Sequence, residues 1–263
     1  MAKKFGLGLG SGGSRGVAHI GFLKALEEEG IVPDLITGCS MGSVVGSCYA
    51  IGMTPDEMYA EVKKLKMTDI MDLSVSPLRK GSLLRAVKLK KVLSRYLGNK
   101  KFSDTKIPFK AVATDLVSGC AVTLDGDVKL VDGVAASSTI PSIFQPVKID
   151  GMVLVDGGVC CRVPVAPVWK MGAVAVVAVD VLGSVRVMNK EYNHNMFSII
   201  TRSIDIADGH LTAMKREKEK CDLWLEPDMG NMSQYKFKDF DLAYNAGYKI
   251  GKENAERIKK IIE

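Results

Sequence analysis

The chain has 263 residues, 47% hydrophobic, 25% charged and 6% aromatic, fractions near the average of a soluble globular protein and outside those of disordered, collagen-like or coiled-coil chains. A formal charge of +6, from 36 basic and 30 acidic residues, falls short of the density of a dedicated nucleic-acid binder, so no nucleic-acid partner is expected. Six cysteines without a CxxC pair or a Cys/His metal spacing stand behind a start, MAKKFGLGLGSGG, that lacks the apolar core of a signal peptide. Those features predict a reduced, cytoplasmic protein with no metal site and no cofactor.

Phe5 to Leu9 reads as a short strand running into the glycine-rich segment GSGGSRG, Gly10 to Gly16. A helix follows from Val17 to Glu29, where Val17, Ile20, Leu23 and Leu26 recur at helical spacing and Gly30 supplies the stop. A second strand, Asp34 to Thr37, runs into GCSMG and a small-residue helix from about Ser43 to Ala50. This alternation of strand, glycine loop and helix is the rhythm of a parallel sheet. Thr54 to Asn99 reads as mainly helical, started by Thr54-Pro55-Asp56-Glu57 and stopped at Gly98.

Strands are predicted at Phe109 to Thr114 and Ala121 to Leu124, followed by the loop-rich run ASSTIPSIFQPV. A turn at Asp150-Gly151 joins Val147–Ile149 to Met152–Val155 as a hairpin. GAVAVVAVD, Gly172 to Asp180, has the continuous apolar character of a strand buried on both faces. Ser198 to Lys220 and Phe240 to Glu263 return to helix, with no repeat and no low-complexity linker. One domain over 1–263 is therefore expected, with a core at about 5–185 and a mainly helical C-terminal extension over 186–263.

Gly38-Cys39-Ser40-Met41-Gly42 is a GxSxG between a predicted strand and a predicted helix, the context of a nucleophile elbow. Gly38 and Gly42 leave room for the sharp turn, and Ser40 is aimed at the mouth of the sheet beside a helix N-terminus. A harmless serine in a glycine-rich turn fits the same letters. A serine hydroxyl needs a base. His19 follows the glycine loop and reads as a core residue, while His194 and His210 could complete a Ser–acid–His order without any local signature. Asp156, ahead of Gly157 and Gly158 at the end of an apolar strand, could serve as the base directly if burial raises its pKa; an Asx turn is the plainer reading. Backbone amides in GSGGSRG, with Arg15 adding a positive field or locking the loop, could hold an oxyanion. Gly8, Gly10 and Gly13 also spell GxGxxG, but the second strand ends in GCSMG instead of the acidic residue that a dinucleotide site needs, and no P-loop occurs.

GSGGSRG, GCSMG and DGG in that order resemble the patatin-like phospholipase family, and most closely its small bacterial members that hold little beyond the catalytic domain. The resemblance runs from about Phe5 to about Asp180 and includes GVAHIGFLKALEE, ATDLVSG and ASSTIPSIFQPV. It implies a three-layer α/β/α sandwich with a mainly parallel central sheet. It also implies a Ser–Asp dyad without a catalytic histidine: Ser40 as nucleophile, Asp156 as general base, and the Gly12 and Gly13 amides with Arg15 as the oxyanion loop. The chemistry implied is hydrolysis of acyl esters in phospholipids or other lipids through an acyl-enzyme. The sequence departs from the plant pattern at Ser11 and has DGG where others have DGA; both changes keep the backbone donors.

Two other classes fit parts of the pattern: a catalytically silent module that holds an acyl chain or a partner, and a soluble thioesterase or carboxylesterase. The stretch from Arg79 to Lys101 carries nine basic and no acidic residues interleaved with leucines and valines. It fits a basic amphipathic helix on an anionic membrane surface, which would place the protein peripherally at the inner face, and it fits equally a solvated helix packed on the sheet.

Overall fold

The computed structural model describes residues 4–70, 84–184 and 195–263. From the N-terminus, β1 (Phe5–Leu9) passes through a 3-10 turn at Gly13–Val17 into α1 (Ala18–Glu28), and β2 (Leu35–Cys39) turns at Ser40 into α2 (Met41–Ala50). The middle of the chain holds α3 (Pro55–Val62), α4 (Met67–Ile70) and α5 (Val87–Leu97), then β3 (Phe109–Asp115), β4 (Cys120–Leu124) and α6 (Leu130–Ser137). The hairpin β5 (Val147–Ile149) and β6 (Met152–Asp156) leads to α7 (Val165–Lys170), β7 (Ala175–Val179), α8 (Met196–Lys218), β8 (Leu223–Leu225) and α9 (Phe240–Ile262).

These strands make one sheet in the order β5-β6-β3-β2-β1-β7-β8, with β4 also paired to β3. The run β3-β2-β1-β7-β8 is parallel, and β4, β5 and β6 add antiparallel pairs at one end. Alternation along the strands divides the core. Phe5, Leu7, Leu9, Val177 and Val179 join the larger cluster, which includes Phe22, Val45 and Ala243 from α1, α2 and α9. Val176 and Ala178 face the other way, onto Val165 and Val168 of α7. Helices therefore cover both faces of a sheet whose central strands are wholly buried, which is why GAVAVVAVD reads as continuously apolar.

Local signals act where the sequence placed them. Thr54 caps α3 in a capping box, accepting the Glu57 N–H at 3.2 Å while the Glu57 carboxylate accepts the Thr54 N–H at 2.9 Å. Asp150 and Gly151 both take positive φ, 48° and 80°, as a two-residue hairpin turn requires. Three differences have physical causes. β2 runs through Cys39 instead of stopping at Thr37, because it pairs with β3 as far as Cys39 opposite Val112. The front of the expected loop at ASSTIPSIFQPV is the end of α6, a short helix of small residues with weak periodicity. β8 is a three-residue edge strand that gains its identity only from β7 beside it.

Where it is described, the basic stretch forms the packed helix of the two readings. Residues 79–83 lie outside the described residues. In α5 the apolar side chains Leu89, Val92, Leu93 and Leu97 are buried in the core, while Lys91 and Arg95 on the helix and Arg85, Lys100 and Lys101 beside it remain exposed. The amphipathic face is covered by the protein's own core, so contact with an anionic surface through this helix would rest on charge alone. Among the described residues no helix is long and apolar enough to cross a membrane.

Candidate active site

β3 has two edges, and β4 occupies one of them along Ala111–Asp115. β2 and β6 must then share the other edge end to end, with Cys39 opposite Val112 and Asp156 opposite Ala113. Residues 117 apart in sequence are thereby set side by side, with Cys39 Sγ 3.9 Å from Asp156 Oδ1. Because β6 starts where β2 ends, β2 has to leave the sheet at Ser40.

It does so with Ser40 at φ 52° and ψ −121°, a conformation that costs a non-glycine residue about 1–3 kcal/mol. The flanking glycines are needed for space. A Cβ at Gly38 would stand 2.5 Å from the Gly42 carbonyl oxygen, and one at Gly42 would stand 2.2 Å from that of Leu9. Ser40 O is held by the N–H groups of Ser43 and Val44 at 2.8 and 3.1 Å and by Ser43 Oγ at 2.7 Å. The turn is thus fastened into the first turn of α2, and the Ser40 side chain faces the cleft.

Asp156 is 7% exposed and Ser40 6%. Burial pushes the Asp156 carboxyl up to about 6, against the hydrogen bond from the Ser40 hydroxyl, the Gly158 amide and the Cys39 thiol, all of which favour the carboxylate. The Gly158 N–H reaches Asp156 Oδ1 at 2.8 Å, so the second glycine of DGG fixes the orientation of the acid. Gly157 passes close over Val112, where a Cβ would meet the carbonyl oxygen at 2.3 Å.

The glycine loop lies across the cleft. The N–H groups of Gly10, Ser11, Ser14 and Arg15 donate to Val179 O, Arg162 O, Gln234 O and Gly12 O at 2.9–3.0 Å. Among the described residues the Gly12 and Gly13 amides have no protein acceptor, and both glycines line the cleft with Ser40 and Asp156. Arg15 is turned away from it. Its side chain is buried, with Nε donating to Val181 O at 2.7 Å and Nη1 to Met232 O at 3.2 Å, so it locks the loop to the chain behind.

The two described histidines lie elsewhere. His19 is buried and pushed down to about 4 by its burial, so the neutral ring donates from Nε2 to Gly10 O at 2.8 Å and braces the glycine loop. His210 is exposed on α8, and His194 lies outside the described residues. Burial also pushes the Cys39 thiol up, which leaves it a small core residue.

The other cleft residues carry no signal of their own in the sequence, although Ile140 and Pro141 fall within ASSTIPSIFQPV. Ile140, Pro141, Val159, Leu182 and Ile204 form an apolar wall, and Asp205, Asp208 and Tyr235 line the far side. Burial pushes Asp208 up to about 6 against the pull of Arg162, whose guanidinium bridges it at 3.2 Å to Asp180 at 2.6 Å. That buried bridge ties α8 to the end of β7, and the Arg162 carbonyl in turn receives Ser11 N–H. Among the described residues no group of His, Cys, Asp and Glu side chains could hold a metal ion.

A sheet between helix layers, entered by a glycine loop and by a serine elbow that meets an aspartate, defines a class of α/β protein that comparison makes specific. The family model of patatin-like phospholipases matches residues 7–169, and the chain belongs to that family. An uncharacterized NTE family protein of Mycobacterium bovis is 38% identical over 178 residues, which are 68% of this chain and 49% of that protein. Lysophospholipase NTE1 of Coccidioides immitis is 28% identical over 288 residues, 98% of this chain and 18% of that protein. The chain thus spans about half the length, or less, of these curated relatives. Among solved structures, VipD from Legionella pneumophila shares the fold, with a TM-score of 0.62 over 99% of this chain and 67% of that one at 13% identity.

A carboxyl raised to about 6 when folded is stabilising below its unfolded pKa near 4, and that contribution is lost as the pH rises through 6. Replacing it by an amide removes the cost of burying the charge. Asp156→Asn is therefore expected to be more stable than the wild type at pH 8, by roughly 3 kcal/mol for a shift of about two pKa units. The difference should close near pH 4. Equal melting temperatures at pH 8 would show that the carboxylate is not desolvated.

Proposed function

We propose that the chain is a serine lipid acyl hydrolase that works through a Ser40–Asp156 dyad and an acyl-enzyme. The observation that carries this reading is a strained, buried serine that lines one cleft with a buried carboxyl whose pKa is pushed up to about 6. Such a carboxylate is a far stronger base than a solvated aspartate, yet it is ionised at neutral pH. It takes the Ser40 proton as Oγ attacks the acyl carbon, and returns that proton to the leaving alcohol. Water then repeats the sequence in reverse on the acyl-enzyme, with Asp156 again as the base. The Gly12 and Gly13 amides are the donors we assign to the oxyanion in both halves, since their neighbours' amides are already engaged. Arg15 serves by holding the loop and Gly158 by holding the acid.

The silent-module reading explains less. A pure binder has no use for a strained serine or for a desolvated carboxylate, each of which lowers stability. A lipid substrate is favoured over a soluble ester by what lies around the dyad. The cleft wall is apolar, and from Ile204 the exposed side chains Ile200, Ile199 and Met196 continue along α8 out of the cleft. An acyl chain, or the surface it comes from, would rest on that path. Exposed cations around α5 add a charge-based attraction to an anionic surface, the peripheral contact that belongs to this proposal.

Ser40→Ala and Asp156→Asn are each expected to lower turnover of a lysophospholipid by about a thousandfold or more while the protein stays folded. Substantial turnover in Asp156→Asn would contradict the dyad. Ile200→Asp should slow hydrolysis of micellar lysophospholipid severalfold and spare a soluble short-chain ester; equal loss on both would remove the argument for a lipid surface.

A further inference from the structure

The ladder between β2 and β3 has a regular pattern that its last rung departs from. Ile36 lies opposite Phe109 and donates its N–H to Pro108 O at 3.0 Å, so the even-numbered residues of β2 direct their amides toward β3. In a parallel ladder such a residue bonds the neighbours on either side of its partner. With Cys39 opposite Val112, the same register makes Val112 O the next acceptor, for the N–H of Ser40. A third group stands in that rung. Ser40 N–H donates to Ser137 Oγ at 3.0 Å, and the Ser137 hydroxyl donates to Val112 O at 2.6 Å.

A direct rung would keep Ser40 in the plane of the sheet, on the edge of β3 that β6 takes over at Ala113. Inserting a hydroxyl lengthens the link by one atom that both accepts and donates, which serine supplies, a thiol supplies only weakly and a methyl does not. Ser137 is fully buried at the end of α6, out of reach of bulk solvent. Without its hydroxyl, a buried amide and a buried carbonyl either lose their partners or close on each other, and either result shifts the one residue that must hold φ 52°.

We propose that Ser137 is a positioning residue for the nucleophile: its hydroxyl replaces the last β2–β3 rung and thereby holds Ser40 out of the sheet, in the cleft that Asp156 also lines. The proposal rests on the hydrolase reading for its kinetic consequence, and on geometry alone for the hydrogen bond. It gives ASSTIPSIFQPV a task that the sequence does not disclose.

Two variants and two readouts test it. Ser137→Ala removes the relay, and Ser137→Cys fills nearly the same space with a poor donor and acceptor. With p-nitrophenyl butyrate, well below each variant's melting point, both are expected to lose at least tenfold in kcat with KM within about twofold of wild type. In both, amide hydrogen exchange at Ser40 should quicken at least tenfold. Wild-type kcat in folded Ser137→Ala would overturn the proposal. So would recovery of kcat in Ser137→Cys, since filled space alone would then suffice. An inert wild type would count against the hydrolase reading instead, and the exchange rate at Ser40 would then decide this inference: quickened exchange supports it, and unchanged exchange overturns it.

Discussion

One edge of one strand organises the site. β3 carries β4 along one side, and on the other it is shared by β2 and then β6, so that Cys39 and Asp156 fall opposite consecutive residues, Val112 and Ala113. The rest of the geometry around Ser40 and Asp156 follows from that sharing. β2 must end where β6 begins, the chain must turn sharply at Ser40, and the turn needs Gly38 and Gly42 because the backbones of α2 and β1 come within contact of them. The aspartate is brought in by a hairpin whose turn is set locally at Asp150 and Gly151.

The same arrangement supports the proposed reading in which the base is a carboxylate and not an imidazole. A solvated carboxylate is too weak a base to activate a serine hydroxyl, whereas one stripped of water and held by a few donors is shifted toward the working pH. At Asp156 the effect of burial outweighs the opposing pull of Ser40, Gly158 and Cys39. The cost of that desolvation is carried by the rest of the fold, through five parallel strands whose central members are wholly buried and through α9 packed along α1, where Gly247 lies against Ala18. His19, neutral and buried, takes another part: it braces the carbonyl of Gly10 in the glycine loop.

Much of this was legible in the letters because glycine-rich turns are local. GSGGSRG, GCSMG and DGG each specify a backbone shape over a few residues, and the structure gathers all three around one cleft. What the letters did not disclose depends on distant partners. The direction of the Arg15 side chain is set by Val181 and Met232, the loop amide at Ser14 by Gln234, and the tie between α8 and the sheet by Arg162 with Asp180 and Asp208. The serine in the rung, Ser137, lies in a run of small polar residues that reads as loop. The periodicity of α5 revealed an apolar face correctly but carried no information on what covers it, which proved to be the core of the same chain.

The central claim is that a desolvated Asp156 is the base that activates Ser40. It is tested most directly by the rate at which a fluorophosphonate modifies Ser40 as a function of pH, since that reaction needs the activated hydroxyl and no particular lipid. The base works when ionised, so the rate should fall about tenfold per pH unit below 6, level off above it, and vanish in Asp156→Asn. A rate that is flat from pH 5 to pH 8, or one that survives in Asp156→Asn, would contradict the account.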